Sequence, residues 1–272
     1  MQTKNYFFLF TLFSFIIQTN TAQPQKKAIV IGATSGIGKA IAQELVKNNY
    51  IVGVTGRRVG LLEELKQTSP DQIIIQEMDV EQVDLARMQL SNLITQLGTV
   101  NVFVFNSATW PKGPQDLTED KEINWNCLQR MMDVNVAGFV GLTETILDQF
   151  RKQGYGHLVG ISSVDAIRGC AAIPIYCACK SFMSIYLEGL RNKFIQTNTP
   201  INVTEIRPGW VQTSFEMGPE AYWVSTPEVI APQIVESIHN NEKVAYVTRR
   251  WKLIGWLLTI CPDWIYNKMG GF

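Results

Sequence analysis

Residues 27–38, with the sequence KAIVIGATSGIG, decide the fold of this chain. Lys27 to Ile31 is an apolar run typical of a buried strand, and the apolar positions from Ile37 onward recur with helical spacing. Three glycines separate the two elements: Gly32, Gly36 and Gly38. Glycines in such a turn let the backbone approach a pyrophosphate, and a helix N-terminus favours its negative charge. The stretch therefore predicts a nucleotide cofactor site, with a plain tight turn as the less favoured alternative.

Apolar strands alternate with helical patterns along the rest of the chain. The further predicted strands are 50–55, 72–77, 100–105, 157–161, 201–206 and 244–247, and the further helices are 61–67, 85–97, 125–150, 176–196 and 227–239. This alternation predicts a doubly wound α/β fold, a mostly parallel seven-stranded sheet with helices on both faces. The uninterrupted apolar strands agree with it, because strands of parallel sheets are buried on both sides.

Composition excludes several classes of protein. The chain has 272 residues, of which 46% are hydrophobic and 18% charged, so a folded core is expected rather than disorder. A formal net charge of zero is not the basic footprint of a nucleic-acid-binding protein, and no nucleic-acid partner is predicted. Five cysteines, an odd number, fit neither a zinc site nor a disulfide framework and predict free thiols. No metal site is predicted.

Both ends of the chain carry apolar segments outside the predicted domain, which spans residues 26–248. Within residues 1–25, the run from Tyr6 to Ile17 resembles a signal-peptide core and is short for a membrane span of about 20 residues. A cleaved signal, an interfacial anchor and a translation start placed too far upstream all remain open. Residues 249–272 combine basic residues and tryptophans with an apolar helical stretch, which suits a membrane interface. Packing over a pocket or a dimer partner is the equal alternative.

The end of the second predicted strand indicates which nicotinamide cofactor is bound. A carboxylate is expected there to hold the ribose 2′-hydroxyl of NAD, but the chain has Thr55-Gly56-Arg57-Arg58. Arg57 can pair with a 2′-phosphate, and no carboxylate repels it. NADP(H) is therefore favoured over NAD(H), although Ser35, rather than a basic residue, precedes Gly36. The alternative is that Arg57 and Arg58 only begin a solvated helix.

Tyr176 and Lys180 lie four residues apart in a predicted helix, and so one turn apart on one face. A tyrosine hydroxyl has an ordinary pKa of about 10. A neighbouring ammonium favours the phenolate and is expected to lower that pKa. Because such a pair also occurs by chance, its interpretation depends on the rest of the chain.

From Lys27 to Val247 the chain resembles the short-chain dehydrogenase/reductase family, in its compact single-domain branch with a Rossmann fold. The resemblance implies a set of residues around the cofactor: Gly32, Thr34, Ser35, Gly36, Ile37, Gly38, Arg57, Arg58, Asp79, Val80, Asn106, Ser107, Ala108, Tyr176, Lys180, Pro208, Gly209, Val211 and Thr213. The sequence departs from the family pattern at Ile31, where a threonine is usual, and at Phe105 to Ala108, which replaces Asn-Asn-Ala-Gly.

The resemblance also implies four catalytic residues, Asn135, Ser163, Tyr176 and Lys180. Ser163 precedes Tyr176 by thirteen residues, the family spacing, which makes Ser162 the less favoured serine. In this scheme Tyr176 donates a proton, Lys180 lowers its pKa and binds the nicotinamide ribose, and Ser163 hydrogen-bonds the substrate oxygen. Asn135 holds a water that links Lys180 to solvent. Each residue also has a purely structural alternative, such as a backbone contact of Asn135 at a helix kink.

The predicted function is that of an NADP(H)-dependent oxidoreductase that interconverts a carbonyl and a secondary alcohol by hydride transfer. Apolar segments expected to rim the pocket, at 110–111, 166–172 and 215–223, favour a ketone reductase with a lipophilic substrate. A cofactor-binding sensor or scaffold with little turnover is the alternative, and a membrane-tethered interaction protein is a third. A homo-oligomer in the cytoplasm, associated with membrane through its termini, is expected, with export as the alternative location.

Overall fold

The fold is described from a computed structural model of the chain, over residues 25–110, 124–213 and 221–268. The apolar N-terminal run lies outside the described residues. So do most of the predicted pocket rim at 215–223 and the last four residues of the C-terminal segment.

Seven strands form one sheet. They are β1 (Lys27–Ile31), β2 (Ile51–Gly56), β3 (Ile73–Glu77), β4 (Val102–Phe105), β5 (Gly156–Ile161), β6 (Ile201–Pro208) and β7 (Val244–Val247). Their order is β3-β2-β1-β4-β5-β6-β7, and every pairing between neighbours is parallel. The predicted doubly wound sheet is confirmed. The order reverses between β1 and β4, so a crevice opens there at the carboxyl ends of the strands, where ligands bind in such sheets.

Helices cover both faces of the sheet and bury two separate cores. The helices are α1 (Gly36–Lys47), α2 (Val59–Gln67), α3 (Val83–Leu97), α4 (Trp125–Met132), α5 (Phe139–Gln153), α6 (Pro174–Gln196), α7 (Pro227–His239), α8 (Trp251–Ile260) and α9 (Asp263–Tyr266). Apolar stripes of α1 and α7 meet one face, as at Ile41 and Ile234. Stripes of α3, α5 and α6 meet the other, as at Leu93, Ile146 and Leu187. Each stripe has the period of one helical face, which is why the sequence predicts these helices.

The long helix predicted over 125–150 is interrupted. A π-helical segment, Asp133–Gly138, separates α4 from α5. Asn135 lies inside it, fully buried, and its side chain pairs with the backbone of Thr109: Oδ1 accepts from the Thr109 N–H at 3.1 Å, and Nδ2 donates to the Thr109 carbonyl at 3.0 Å. The wider turn thus joins the helix to the loop after β4. Insertions of this kind are frequent at functional sites.

The C-terminal segment packs against the body of the domain. Trp251 is fully buried, and the Arg168 guanidinium donates to the Cys261 carbonyl at 2.7 Å and to Asp263 Oδ1 at 2.6 Å. The Tyr266 hydroxyl donates to the Gly169 carbonyl at 2.9 Å. The side of the C-terminal segment that faces the domain therefore packs over the pocket, which is one of the two predicted alternatives. Across the described ranges, no helix combines the length and apolarity needed to cross a bilayer.

Candidate active site

The turn between β1 and α1 has the conformation that its glycines allow. Gly32 and Gly36 have φ values of +82° and +57°, in the left-handed region. A Cβ atom on Gly38 would stand 2.1 Å from the Gly32 carbonyl oxygen, so no side chain fits there. The start of α1 is therefore a close-packed helix N-terminus at the carboxyl ends of the strands, the kind of position that favours an anion.

Predicted cofactor residues from other strands close around this turn. Asn106 Nδ2, after β4, donates to the Gly32 carbonyl at 2.9 Å. Ser107 packs directly against Gly32, and Thr213, after β6, lies across from Gly36. The remaining predicted cofactor residues occupy the ends of neighbouring strands: Asp79 and Val80 follow β3, Ala108 follows β4, Pro208 ends β6, and Gly209 and Val211 follow it.

The structure distinguishes between the two arginines after β2. The exposed Arg58 guanidinium donates to Thr34 Oγ1 at 2.6 Å and to Ser35 Oγ at 2.7 Å, so it lies against the glycine turn. Arg57 instead points toward Asp79, with 3.9 Å between Nη1 and Oδ2. Arg58 is therefore the cation closer to the helix N-terminus, although the sequence argument centred on Arg57.

Ser163, Tyr176 and Lys180 come together on the other side of the crevice. Ser163 follows β5, and its hydroxyl lowers the pKa of the Tyr176 phenol, although burial raises that pKa more. Lys180 Nζ lies 5.6 Å from the centre of the Tyr176 ring and donates to the Ile161 carbonyl at 2.9 Å. Ser162 is used elsewhere, since its hydroxyl donates to Glu205 Oε1 at 2.6 Å. The spacing argument for Ser163 over Ser162 agrees with this arrangement.

Burial governs the proton affinities of this group. It lowers the pKa of Lys180 to about 8, because the charged ammonium is desolvated. Burial, and next the nearby Asp165 carboxylate, raise the pKa of Tyr176 above its ordinary value. The expected lowering of the tyrosine pKa by Lys180 is therefore wrong for the free protein, because desolvation of the phenol dominates. The phenol stays protonated at neutral pH.

The comparisons with known proteins agree with this geometry. Residues 26–221 match the family model of the short chain dehydrogenases. The chain belongs to the short-chain dehydrogenase family. It is accordingly an oxidoreductase of the class that acts on CH–OH groups.

Individual relatives of this short-chain dehydrogenase are moderately similar. An oxidoreductase of Myxococcus xanthus is 31% identical over 191 residues, 69% of this chain and 73% of that protein. The NADP-dependent 3-hydroxy acid dehydrogenase YdfG of Escherichia coli K12 is 28% identical over 183 residues, 67% of this chain and 71% of that protein. A short-chain dehydrogenase structure from Streptomyces avermitilis shares the fold, with a TM-score of 0.74 and 23% identity over 92% of this chain and 99% of that one.

The fourth predicted catalytic residue, Asn135, is placed by its backbone contacts. Both polar ends of its side chain are occupied by Thr109, as the structural alternative anticipated. The π-helical segment packs against α6, which carries Tyr176 and Lys180. Asn135 therefore fixes the loop after β4 relative to α6 of this dehydrogenase.

Sequence reasoning missed a carboxylate in the pocket of this dehydrogenase and left the helix there as one of two alternatives. The cavity beside Ser163 is lined by Asp165 and Arg168 as well as by Trp251 and Leu258 of α8. Its wall is thus less uniformly apolar than the residue pattern at 166–172 predicted. Asp165 follows Ser163 by two residues, so its position after a strand end was the available signal.

An aromatic cluster joins α8 to the loop before α7. Trp251 stacks on Tyr222 with 5.3 Å between ring centres, and Trp223 meets Trp251 edge-on at 5.9 Å. The Arg250 guanidinium lies 5.2 Å from the Trp223 ring centre. These contacts hold α8 over the pocket.

Proposed function

We propose that the protein is an NADP(H)-dependent ketone reductase that interconverts a carbonyl and a secondary alcohol. The observation that carries the proposal is the buried group of Ser163, Tyr176 and Lys180 facing the glycine turn across the crevice. Polar and titratable side chains are costly to bury, and buried titratable groups with shifted pKa values in a cleft are typical of functional sites. A cofactor-binding sensor would need the glycine turn but would not need this group.

The turn fits a dinucleotide. It offers a helix N-terminus whose turn packs too tightly at Gly38 for a Cβ atom, and the Arg58 guanidinium beside Thr34 and Ser35. Arg58 would bind a 2′-phosphate, Asp79 would hold the adenine edge, and Asn106, Thr213 and Lys180 would border the nicotinamide half. When bound, NADPH supplies the hydride. The NADP dependence named for the Escherichia coli relative favours the same cofactor.

In the reducing direction, the side chains handle the proton and the developing charge. Tyr176 is protonated in the free protein, so it can donate a proton to the alkoxide oxygen as general acid. Ser163, whose hydroxyl acts on the same phenol, hydrogen-bonds the substrate oxygen. The Lys180 ammonium, anchored on the Ile161 carbonyl, stabilises the phenolate that remains.

The substrate is proposed to be a ketone with an apolar body and a limited polar part. Trp210, Trp251, Ile254 and Leu258 line the cavity with apolar surface. Asp165 and Arg168 add polar groups to the same wall. Such a mixture suits a ligand that is held mainly by apolar contact and oriented by a few polar groups.

The test is NADPH consumption against a panel of ketones and aldehydes, for the wild type and Tyr176→Phe. Turnover should fall by about 10²- to 10⁴-fold in the variant, the usual contribution of a general acid. Tyr186→Phe is the matched control, because Tyr186 lies on the same helix and its hydroxyl donates to Glu144 Oε1 instead. If NADPH binds but no carbonyl elicits turnover that depends on Tyr176, the sensor function replaces the reductase.

The outer face of α8 supports the predicted membrane contact of a cytoplasmic enzyme. Leu253, Trp256 and Ile260 are each more than half exposed, as is Trp264 of α9, and Lys252 is exposed beside them. Tryptophan and lysine next to an apolar helix face suit the surface of an anionic bilayer. Flotation with phosphatidylserine vesicles should fail for the double variant Leu253→Ser/Trp256→Ser. If the wild type does not float with the vesicles, and if it is a dimer in solution whereas the double variant is a monomer, this face binds a second copy of the chain.

A further inference from the structure

The hydroxyl of Ser163 has one proton and two neighbours that compete for it. Its Oγ donates to Asp165 Oδ2 at 2.9 Å, and the Asp165 N–H donates back to the same Oγ at 3.1 Å. The Ser163 hydroxyl also acts on the Tyr176 phenol, whose pKa it lowers, and the substrate oxygen would be bound between these two side chains. A hydroxyl can donate only once. The proton therefore goes either to Asp165 or to the reacting oxygen.

The charge of Asp165 decides this competition. A hydrogen bond to an ionised carboxylate is roughly twice as strong as a neutral one, so ionised Asp165 keeps the Ser163 proton. A protonated carboxyl becomes a donor itself. It can donate to Ser163 Oγ, which reverses the bond and leaves the Ser163 proton available for a carbonyl oxygen.

We propose that Asp165 is a positioning residue that directs the Ser163 proton, so that carbonyl reduction requires the neutral carboxyl of Asp165. The proposal rests on the proposed function, because it assigns Ser163 the substrate oxygen. Ionised Asp165 leaves Ser163 with one lone pair that the Asp165 N–H does not occupy, which suits an alcohol O–H as the bound partner. Reduction and oxidation are thereby favoured by opposite charge states of one side chain.

The surroundings of Asp165 place its titration at higher pH than that of an exposed carboxyl. Burial raises its pKa, while the Ser163 hydroxyl and the Lys180 ammonium oppose that rise. The ionisable groups around it are Tyr176, Cys177 and Lys180 of α6, Arg168 and Cys170 of the loop before α6, Tyr222, and Tyr266 of α9. Arg168 is engaged by Asp263 and backbone carbonyls, and Asp165 has no ion-pair partner among the salt bridges of the described residues.

The kinetic test is the pH profile of kcat/KM for ketone reduction in the wild type, Asp165→Asn and Asp165→Ala. The Asn amide can donate to Ser163 Oγ as the neutral carboxyl does, and it cannot ionise. The wild-type value should fall about tenfold per pH unit above the pKa of Asp165. Asp165→Asn should lack that fall and exceed the wild type by the same factor at high pH. Asp165→Ala removes the competing acceptor as well as the donor, so it should also lack that fall, with a kcat below that of Asp165→Asn at every pH because Ser163 Oγ is no longer oriented.

A direct titration makes the test independent of turnover. The carboxyl of Asp165 is followed by its infrared carbonyl band or its carbon NMR shift in the wild type and in Ser163→Ala. The midpoint in the wild type should match the kinetic pKa. Loss of the Ser163 hydroxyl, which stabilises the ionised carboxylate, should move the midpoint to higher pH.

Two results would overturn the proposal. One is a fall of kcat/KM at high pH that is the same in Asp165→Asn as in the wild type. The other is a titration midpoint of the Asp165 carboxyl that is unchanged in Ser163→Ala. Failure of the proposed function looks different. In that case no carbonyl is reduced by any variant, including the wild type, while the Ser163-dependent shift of the Asp165 midpoint is still observed.

Discussion

A Cβ atom on Gly209 would stand 1.9 Å from Cε2 of Trp251. The loop after β6 and the first residue of α8 are therefore packed against each other with no room for a methyl group. Trp251 is fully buried at this contact and also lines the cavity beside Ser163. The C-terminal helix is consequently an integral part of the pocket wall.

Substitution Gly209→Ala should displace α8. We expect the free energy of unfolding to fall by about 1–3 kcal/mol, the usual cost of overpacking, and kcat/KM to fall with it. Gly189→Ala is the matched control, since a Cβ at Gly189, inside α6, meets nothing within 4 Å. It should stabilise the protein by up to about 1 kcal/mol. Urea denaturation measures both, and equal effects would contradict the packing argument.

Loss of Arg58 should change cofactor preference more than loss of Arg57. Arg58 binds the hydroxyls of the glycine turn, whereas Arg57 points toward Asp79. A charged hydrogen bond contributes about 1.5–3 kcal/mol, so Arg58→Ala should weaken NADPH binding about 10- to 100-fold and leave NADH binding nearly unchanged. Fluorescence titration with both cofactors measures this. A larger loss in Arg57→Ala would restore the role that the sequence argument assigned to Arg57.

The buried Lys180 should make stability rise with pH. Its pKa is about 8 in the folded protein and near 10.5 in the unfolded chain, so the unfolded state binds more protons between these values. The free energy of unfolding of the wild type should therefore increase between pH 8 and 10.5 relative to Lys180→Met, by on the order of 3 kcal/mol. Denaturation curves across this range provide the measurement. Parallel pH dependences would show that Lys180 is not desolvated.

Removing the Asn135 side chain should loosen the loop after β4. In Asn135→Ala the N–H and the carbonyl of Thr109 lose their partners, and leaving a buried polar group unpaired costs about 1–3 kcal/mol. Asn202→Ala is the control, because its exposed amide bonds only the Asn241 side chain. The control should change the unfolding free energy by a few tenths of a kcal/mol. A normal stability for Asn135→Ala would mean that Thr109 finds other partners.

The parts of the fold that follow from local patterns were predictable from the sequence. Apolar strands, amphipathic helices and the glycine turn each carry their signal within about 10 to 20 residues. Tyr176 and Lys180 were recognisable for the same reason, because their spacing is one helical turn. The π-helical segment was not, since it depends on Thr109, which is 26 residues from Asn135.

Long-range packing explains the other differences. The packing of Trp251 against Gly209 joins residues that are distant in sequence. The hydrophobic periodicity of the sequence does not indicate such a contact. The pKa of Tyr176 was misjudged because the argument counted the neighbouring ammonium and not the burial of the phenol. Asp165 was within reach of sequence reasoning, but its burial beside Ser163 became visible only in three dimensions.

The indole of Trp251 also provides an optical probe that the protein carries already. It stacks on Tyr222 and forms part of the cavity wall, so a molecule entering the cavity alters the polarity around it. Ligands can thus be ranked by the quenching or spectral shift of tryptophan emission, before any substrate that is turned over has been found. Comparison of the wild type with Trp251→Phe separates this signal from that of the other six tryptophans of the chain's seven.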